Sequence, residues 1–148
     1  MRRYRALLAL AVFMFVLAAA AVSWARVVVP LVDQRRSGSS GEVEIEWMEF
    51  MPGQRAVGVN VYRLQPSSVY TVWFANELPR TERAAAGIDT NYFRTDSNGN
   101  GRYVTTSSDY KISKWRYIEV GYHPDKNPRN TKDMVIVLIG DLKYGFHY

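Results

Sequence analysis

The chain has no cysteine and only two histidines in 148 residues. Without cysteine there is no disulfide framework to hold a small exported domain, no thiol nucleophile and no site for lipid attachment. With His123 and His147 as the only imidazoles, neither a histidine-rich metal centre nor a His-Glu-x-x-His zinc motif is available. A copper site from the two histidines with Met48 or Met51 has suitable chemistry, but nothing in the spacing brings these residues together. No Gly-x-Ser-x-Gly elbow occurs either, so the expectation is a protein that is not an enzyme and needs no cofactor. Helical periodicity is also scarce. Its best instance, Glu82-Arg83-Ala84-Ala85-Ala86, is under two turns long and reads as a loop decoration.

What is present begins with residues 1–25. Met1-Arg2-Arg3-Tyr4-Arg5 is a short basic start, residues 6–21 are apolar and uncharged, and Ser23-Trp24-Ala25 ends the segment in small residues around a tryptophan. This is the pattern of a secretory signal peptide cut after Ala25, and no stable membrane span is expected once it is removed. The expected mature protein is secreted, extracellular or at the cell surface, with the periplasm as the other compartment of this kind. It is one domain's length of chain with a single core. Arg2, Arg3 and Arg5 leave with the leader, which takes the net charge from +5 to +2. The remaining Lys and Arg are scattered among acids, so no nucleic-acid partner is expected.

The rest of the chain alternates with a period of two. Residues 26–41 divide into a β-branched segment, Arg26-Val27-Val28-Val29-Pro30-Leu31-Val32, and a Gly/Ser-rich stretch that reads as a flexible linker. An apolar strand on such a tether must dock somewhere, because burial recovers about 25 cal/mol per Å² of apolar surface. From residue 42 to 148 the pattern is that of a β domain. Val43, Ile45 and Trp47 face opposite Glu42, Glu44 and Glu46. Val57, Val59 and Val61 share one face, Val69-Tyr70-Thr71-Val72-Trp73-Phe74 is dense in strand formers, and Ile118, Val120 and Tyr122 alternate again. Residues 133–139 form a continuous apolar run suited to a central strand covered on both faces. Asp96-Ser97-Asn98-Gly99 carries the Asn-Gly signal of a hairpin between strands at 92–95 and 102–105. About seven or eight strands with turns at short intervals predict an all-β fold, an antiparallel β-sandwich first and a small barrel second.

Val59-Asn60-Val61, Leu64-x-Pro66, Tyr70-Thr71-Val72-Trp73-Phe74 and Phe93-Arg94-Thr95-Asp96-x-Asn98-Gly99-x-Gly101 together resemble small secreted bacterial β-sandwich proteins akin to the chordin-like and superoxide-dismutase-like sandwich domains. The resemblance covers about a third of the chain and implies a Greek-key sandwich. It does not carry over dismutase chemistry, since copper–zinc dismutases need a cluster of histidines that this sequence lacks.

Three features are candidate sites. Asp96, Asn98 and Asn100 match the first half of a calcium loop, with oxygen side chains at alternate positions ahead of Gly101; the position for the closing Glu holds Ser107, and turn chemistry explains the same residues. Tyr144, Phe146 and Tyr148 share one strand face, as on a carbohydrate-stacking platform, although a terminal strand patterned this way more commonly packs its own core. Val27, Val28, Val29, Leu31 and Val32 form the candidate assembly strand. Two functions are compatible with this set. In the first, the protein is a non-catalytic structural subunit that self-associates into a filament or surface layer when this strand adds to a neighbouring copy, with other copies or envelope proteins as partners. In the alternative, the strand folds back on its own domain and the protein is a monomeric binding module for calcium, a glycan or a cell-envelope partner.

Overall fold

The computed structural model describes residues 26–76, 82–88 and 90–144; the expected leader, residues 1–25, lies outside them. Among the described residues the fold is antiparallel β throughout. Three strands, β1 (Arg26–Asp33), β2 (Ser40–Trp47) and β3 (Gln54–Tyr62), run as a meander. β4 (Val69–Ala75) opens the other half, and the short β5 (Arg83–Ala85) and β6 (Tyr92–Arg94) both pair with it. β7 (Gly101–Ser108) returns beside β3, followed by the five-residue helix α1 (Asp109–Ser113). β8 (Tyr117–His123), β9 (Val135–Asp141) and a 3-10 turn (Leu142–Tyr144) complete the chain. The strand order is β5-β4-β8-β9-β1-β2-β3-β7, with β6 also on β4.

The period of two decides which side chains meet. Val29 and Leu31 from β1, Val43 and Ile45 from β2, and Val57, Val59 and Val61 from β3 all point into one core. Tyr70, Val72 and Phe74 of β4, Ile118 and Val120 of β8, and Leu138 of β9 enter it from the other half of the sheet. Each such side chain contributes about 1.5–3 kcal/mol when fully buried, which is the stability a cysteine-free domain has to draw on. β1 takes part in both halves. Arg26 to Leu31 pair with Glu46 to Gly41 of β2, and the strand then leans across so that Val32 and Asp33 pair with Ile139 and Leu138 of β9. Pro30, which has no N–H to donate, lies where β1 has a ladder partner only in β2.

The two ends of the strand order are drawn together by aromatic rings. Phe93 of β6 stacks on Tyr70 of β4 at 5.6 Å between centroids and meets Tyr103 of β7 at 6.5 Å. Tyr103 Oη donates to the Thr90 carbonyl at 2.7 Å, and Lys111 Nζ to the Ala85 carbonyl at 2.8 Å. The sheet is therefore curled, with one continuous core inside.

Two expectations are corrected. The alanine-rich stretch at 82–86 is not a loop decoration but contains a strand: Arg83, Ala84 and Ala85 pair with Ala75, Phe74 and Trp73 as β5. A segment this short cannot offset helix nucleation, and an open strand edge beside it supplies the hydrogen bonds instead. The Asn98-Gly99 turn forms, but the strands on either side do not make a hairpin ladder, since β6 pairs with β4 and β7 with β3. The turn is held by its own bonds and by the Leu64 N–H donating to the Gly99 carbonyl at 2.9 Å.

Gly99 is the tightest of these turn positions. It has φ +77°, and a Cβ there would stand 2.0 Å from the Leu64 carbonyl oxygen; Gly53 has the same φ with nothing within 4 Å. Gly53→Ala is expected to cost about 1–2 kcal/mol, the left-handed penalty alone. Gly99→Ala should cost clearly more, about 3 kcal/mol or above, because backbone must also move. Urea unfolding of the two variants beside the parent measures the difference.

Candidate functional site

At the end of the sheet where β1 and β3 finish, two loops enclose a cleft of about 460 Å³. The first, residues 34–39, is gathered by the Asp33 carboxylate, which accepts the Arg35 N–H at 2.8 Å, the Gly38 N–H at 2.9 Å and the Ser37 hydroxyl at 3.1 Å. Those donors, the Arg35 N–H above all, hold the Asp33 carboxyl below its ordinary value. The second loop, 63–68, is tied to the first by the Ser39 hydroxyl, which donates to the Arg63 carbonyl at 2.9 Å. The stretch expected to be a flexible tether is thus an ordered loop between two paired strands.

Arg35 and Arg63 stand on the rim, and Val135, Val137 and the rings of Tyr70 and Tyr122, 5.4 Å apart, line the interior. Tyr70 Oη accepts the Gln65 N–H at 3.0 Å. Burial dominates over that bond and pushes the Tyr70 phenol up to about 12. Three of the non-glycine residues with positive φ belong to these loops, Arg36 at 54°, Arg63 at 56° and Ser67 at 49°, each at a backbone cost of roughly 1–2 kcal/mol. Neither Arg35 nor Arg63 has an ion-pair partner among the described residues. Other arginines do: Arg26 with Glu44 and Glu46, Arg83 with Glu119, Arg116 with Asp141. At the opposite end of β3, Arg55 lies 3.5 Å over the Trp47 ring and pairs with Asp109, so its guanidinium is already occupied.

A second polar layer lies on the outer face of β4 and β8, where Thr71, Glu119 and His123 are fully buried. Trp73 Nε1 donates to Thr71 Oγ1 at 2.7 Å, and that oxygen is 2.8 Å from His123 Nε2. His123 Nδ1 is 3.1 Å from the Asn130 carbonyl, which can only accept. Nδ1 therefore carries a hydrogen, the Thr71 hydroxyl also lies 3.3 Å from Met134 Sδ, and both ring nitrogens are engaged. Met134 covers this layer by resting on Gly121, where a Cβ would meet its sulfur at 2.4 Å. Glu119 Oε2 is 3.6 Å from Arg83 Nε. Neither Thr71 nor Glu119 stood out in the sequence, because alternation with Ile118 and Val120 assigns Glu119 to solvent.

Among the sequence candidates, Asp96, Asn98 and Asn100 do meet in one turn, but side-chain oxygens of Asp96 and Asn100 face N–H groups. Asp96 Oδ1 accepts from the N–H of Asn98 and of Asn100, both at 2.8 Å, and Asn100 Oδ1 from the Arg63 N–H at 3.4 Å. Among the described residues no group of three or more His, Cys, Asp or Glu is arranged to hold a metal ion. Val27, Val28, Val29, Leu31 and Val32 belong to β1 and lie in the ladder of their own sheet. The Tyr144 side chain, Phe146 and Tyr148 lie outside the described residues. In the acidic stripe, Glu44 is bonded to Arg26 and accepts from Asn60 Nδ2 at 3.2 Å. No helix among the described residues is long and apolar enough to cross a membrane.

The raised Tyr70 value carries a pH signature. A phenol whose folded value lies above its unfolded value of 10 stabilises the fold fully below pH 10 and loses that contribution as pH rises towards 12. A rise from 10 to about 12 corresponds to roughly 2–3 kcal/mol. Urea unfolding at fixed pH should show a level profile to pH 10 and a decline above it. Tyr70→Phe should flatten that decline in part, leaving the share of Tyr103, whose phenol burial also raises. Comparison with protein-family models, curated proteins and solved structures finds no match to this chain.

Proposed function

We propose that the protein is an exported, non-catalytic binding module that works as a single folded copy, built as a Greek-key β-sandwich. The observation that carries this reading is the place of β1: between β9 and β2 of its own chain, with Val29 and Leu31 buried, so that the sheet needs no strand from elsewhere. The return of β9 to lie beside the first strand of the β1-β2-β3 meander is the connection expected of a Greek key. A role without catalysis is supported by His123, enclosed and engaged at both nitrogens. The assembly reading, a subunit that builds a filament or surface layer by passing its N-terminal strand to a neighbour, would use the same β1–β2 ladder between copies. It requires β1 to leave two partners and open the bonded loop at 34–39.

The absence of cysteine makes a clean test available. Val28 and Glu44 are paired across β1 and β2. In the double variant Val28→Cys, Glu44→Cys, oxidation should give a crosslink within one chain and a single species of monomer mass in light scattering at every concentration. Crosslinked ladders of two or more chains would reject the module in favour of strand exchange. For the export part, mass spectrometry of the exported protein should find an N-terminus near Arg26, and an intact Met1 in membrane extracts would reject it.

A further inference from the structure

We propose that the cleft between residues 34–39 and 63–68 binds an acidic sugar, with Arg35 and Arg63 holding a carboxylate or sulfate ester carried on the ring; this rests on the module reading above. Among the described residues Arg26, Arg55, Arg83 and Arg116 are each matched with a carboxylate, whereas Arg35, Arg36, Arg63, Arg94, Arg102 and Arg129 are not; of these, Arg35 and Arg63 line the same cleft. Asp33, the nearest acid in the first loop, has its oxygens turned to the loop's own N–H and hydroxyl groups. An arginine fork presents parallel N–H donors that match a carboxylate or sulfate, and two arginines lining one cleft favour an anion in it.

The interior argues for the rest of the ligand. Its volume, about 460 Å³, falls in the range of small-molecule sites, and Tyr122, Val135 and Val137 with the buried Tyr70 give it an apolar lining. Tyr122, half-buried, combines a flat apolar face with a polar tip, which suits a sugar ring bearing hydroxyls, while Tyr70 is buried beside it with its hydroxyl engaged by Gln65 and supports that ring. A flat anionic surface such as a lipid headgroup layer has no ring to fill this interior, so an acidic glycan is the better fit. The backbone adds a separate sign. Arg63 occupies a left-handed position that glycine would hold without strain, and its carbonyl is fixed by Ser39, so the loop keeps an arginine where the fold itself would favour glycine.

That sign supplies a variant that does not simply unfold. The purified protein is titrated with three trisaccharides, of galacturonate, of sulfated galactose and of neutral galactose, and binding is read by calorimetry and by amide shifts at Gly38, Leu64 and Tyr122. The expected result is binding of the carboxylated chain, the sulfated chain or both, the arm that binds identifying the anion, with the neutral chain at least tenfold weaker. Arg63→Gly should weaken binding by tenfold or more, the usual scale for a lost charge-assisted hydrogen bond, while its melting temperature stays level or rises. Arg35→Gln should weaken it similarly. The double variant Arg129→Gln, Lys132→Gln removes two charges elsewhere and should change affinity less than twofold. Equal binding of the neutral chain, equal damage from the distant pair, or no binding of either acidic chain at millimolar concentration would overturn the inference. Failure of the module reading would appear instead as crosslinks between chains, which this titration does not read.

Discussion

Everything in this fold depends on how β1 divides its hydrogen bonds. Six residues pair with β2 and the last two with β9, so a single strand stitches the first three strands to the half of the sheet contributed by β4, β8 and β9. The curl follows from that stitch. Once Val32 and Asp33 lean onto β9, the inward faces of both halves turn towards each other and share Val29, Val59, Val72, Ile118 and Leu138 in one core. Aromatic packing at Phe93 of β6 then draws the end strand β7 towards β4. A right-handed twist accumulated over this many strands needs some such closure, since an open sheet of this width would leave its apolar face wet.

The cleft is a by-product of the same geometry. Where β1 changes partner, its chain must turn back to begin β2, and the turn has to be short and internally bonded because both strands are already fixed. Asp33 meets that demand with its carboxylate, leaving the side chains of Arg35 and Ser37 at the surface. The end of β3 is placed alongside through Ser39, which brings Arg63 to the same rim. Two arginines far apart in sequence thus face one concavity without any contact between them being required for folding.

Strand positions could be read from the sequence because alternation is local: Val57, Val59 and Val61 announce a face whatever they pair with. Partners could not be read in the same way. The Asn98-Gly99 signal correctly marks a reversal of the chain, but whether the flanking strands bond each other is decided by β3 and β4, which compete for them. The Ala84-Ala85 stretch favours helix weakly on its own and becomes strand only because β4 has an open edge. Gly38 and the serines around it look like a linker by composition, and only the bonds of Asp33 and Ser39 reveal a loop. The cleft had no motif at all, since it is made from two loops that meet through tertiary structure, and buried Glu119 was hidden by the very periodicity that located its strand.

The pairing of Val32 with Ile139 joins residues about a hundred positions apart, near the two ends of the described chain. The sheet cannot close until its last strand exists, so local nuclei such as the β2–β3 or β8–β9 hairpins have no finished core to settle into. Folding of this kind is slow, because the entropy of closing so large a loop is spent before the contacts that reward it form. For a chain proposed to be exported, that delay has a use. If exported as proposed, such a polypeptide stays threadable while it is being made and becomes compact only once β9 is available to pair with β1.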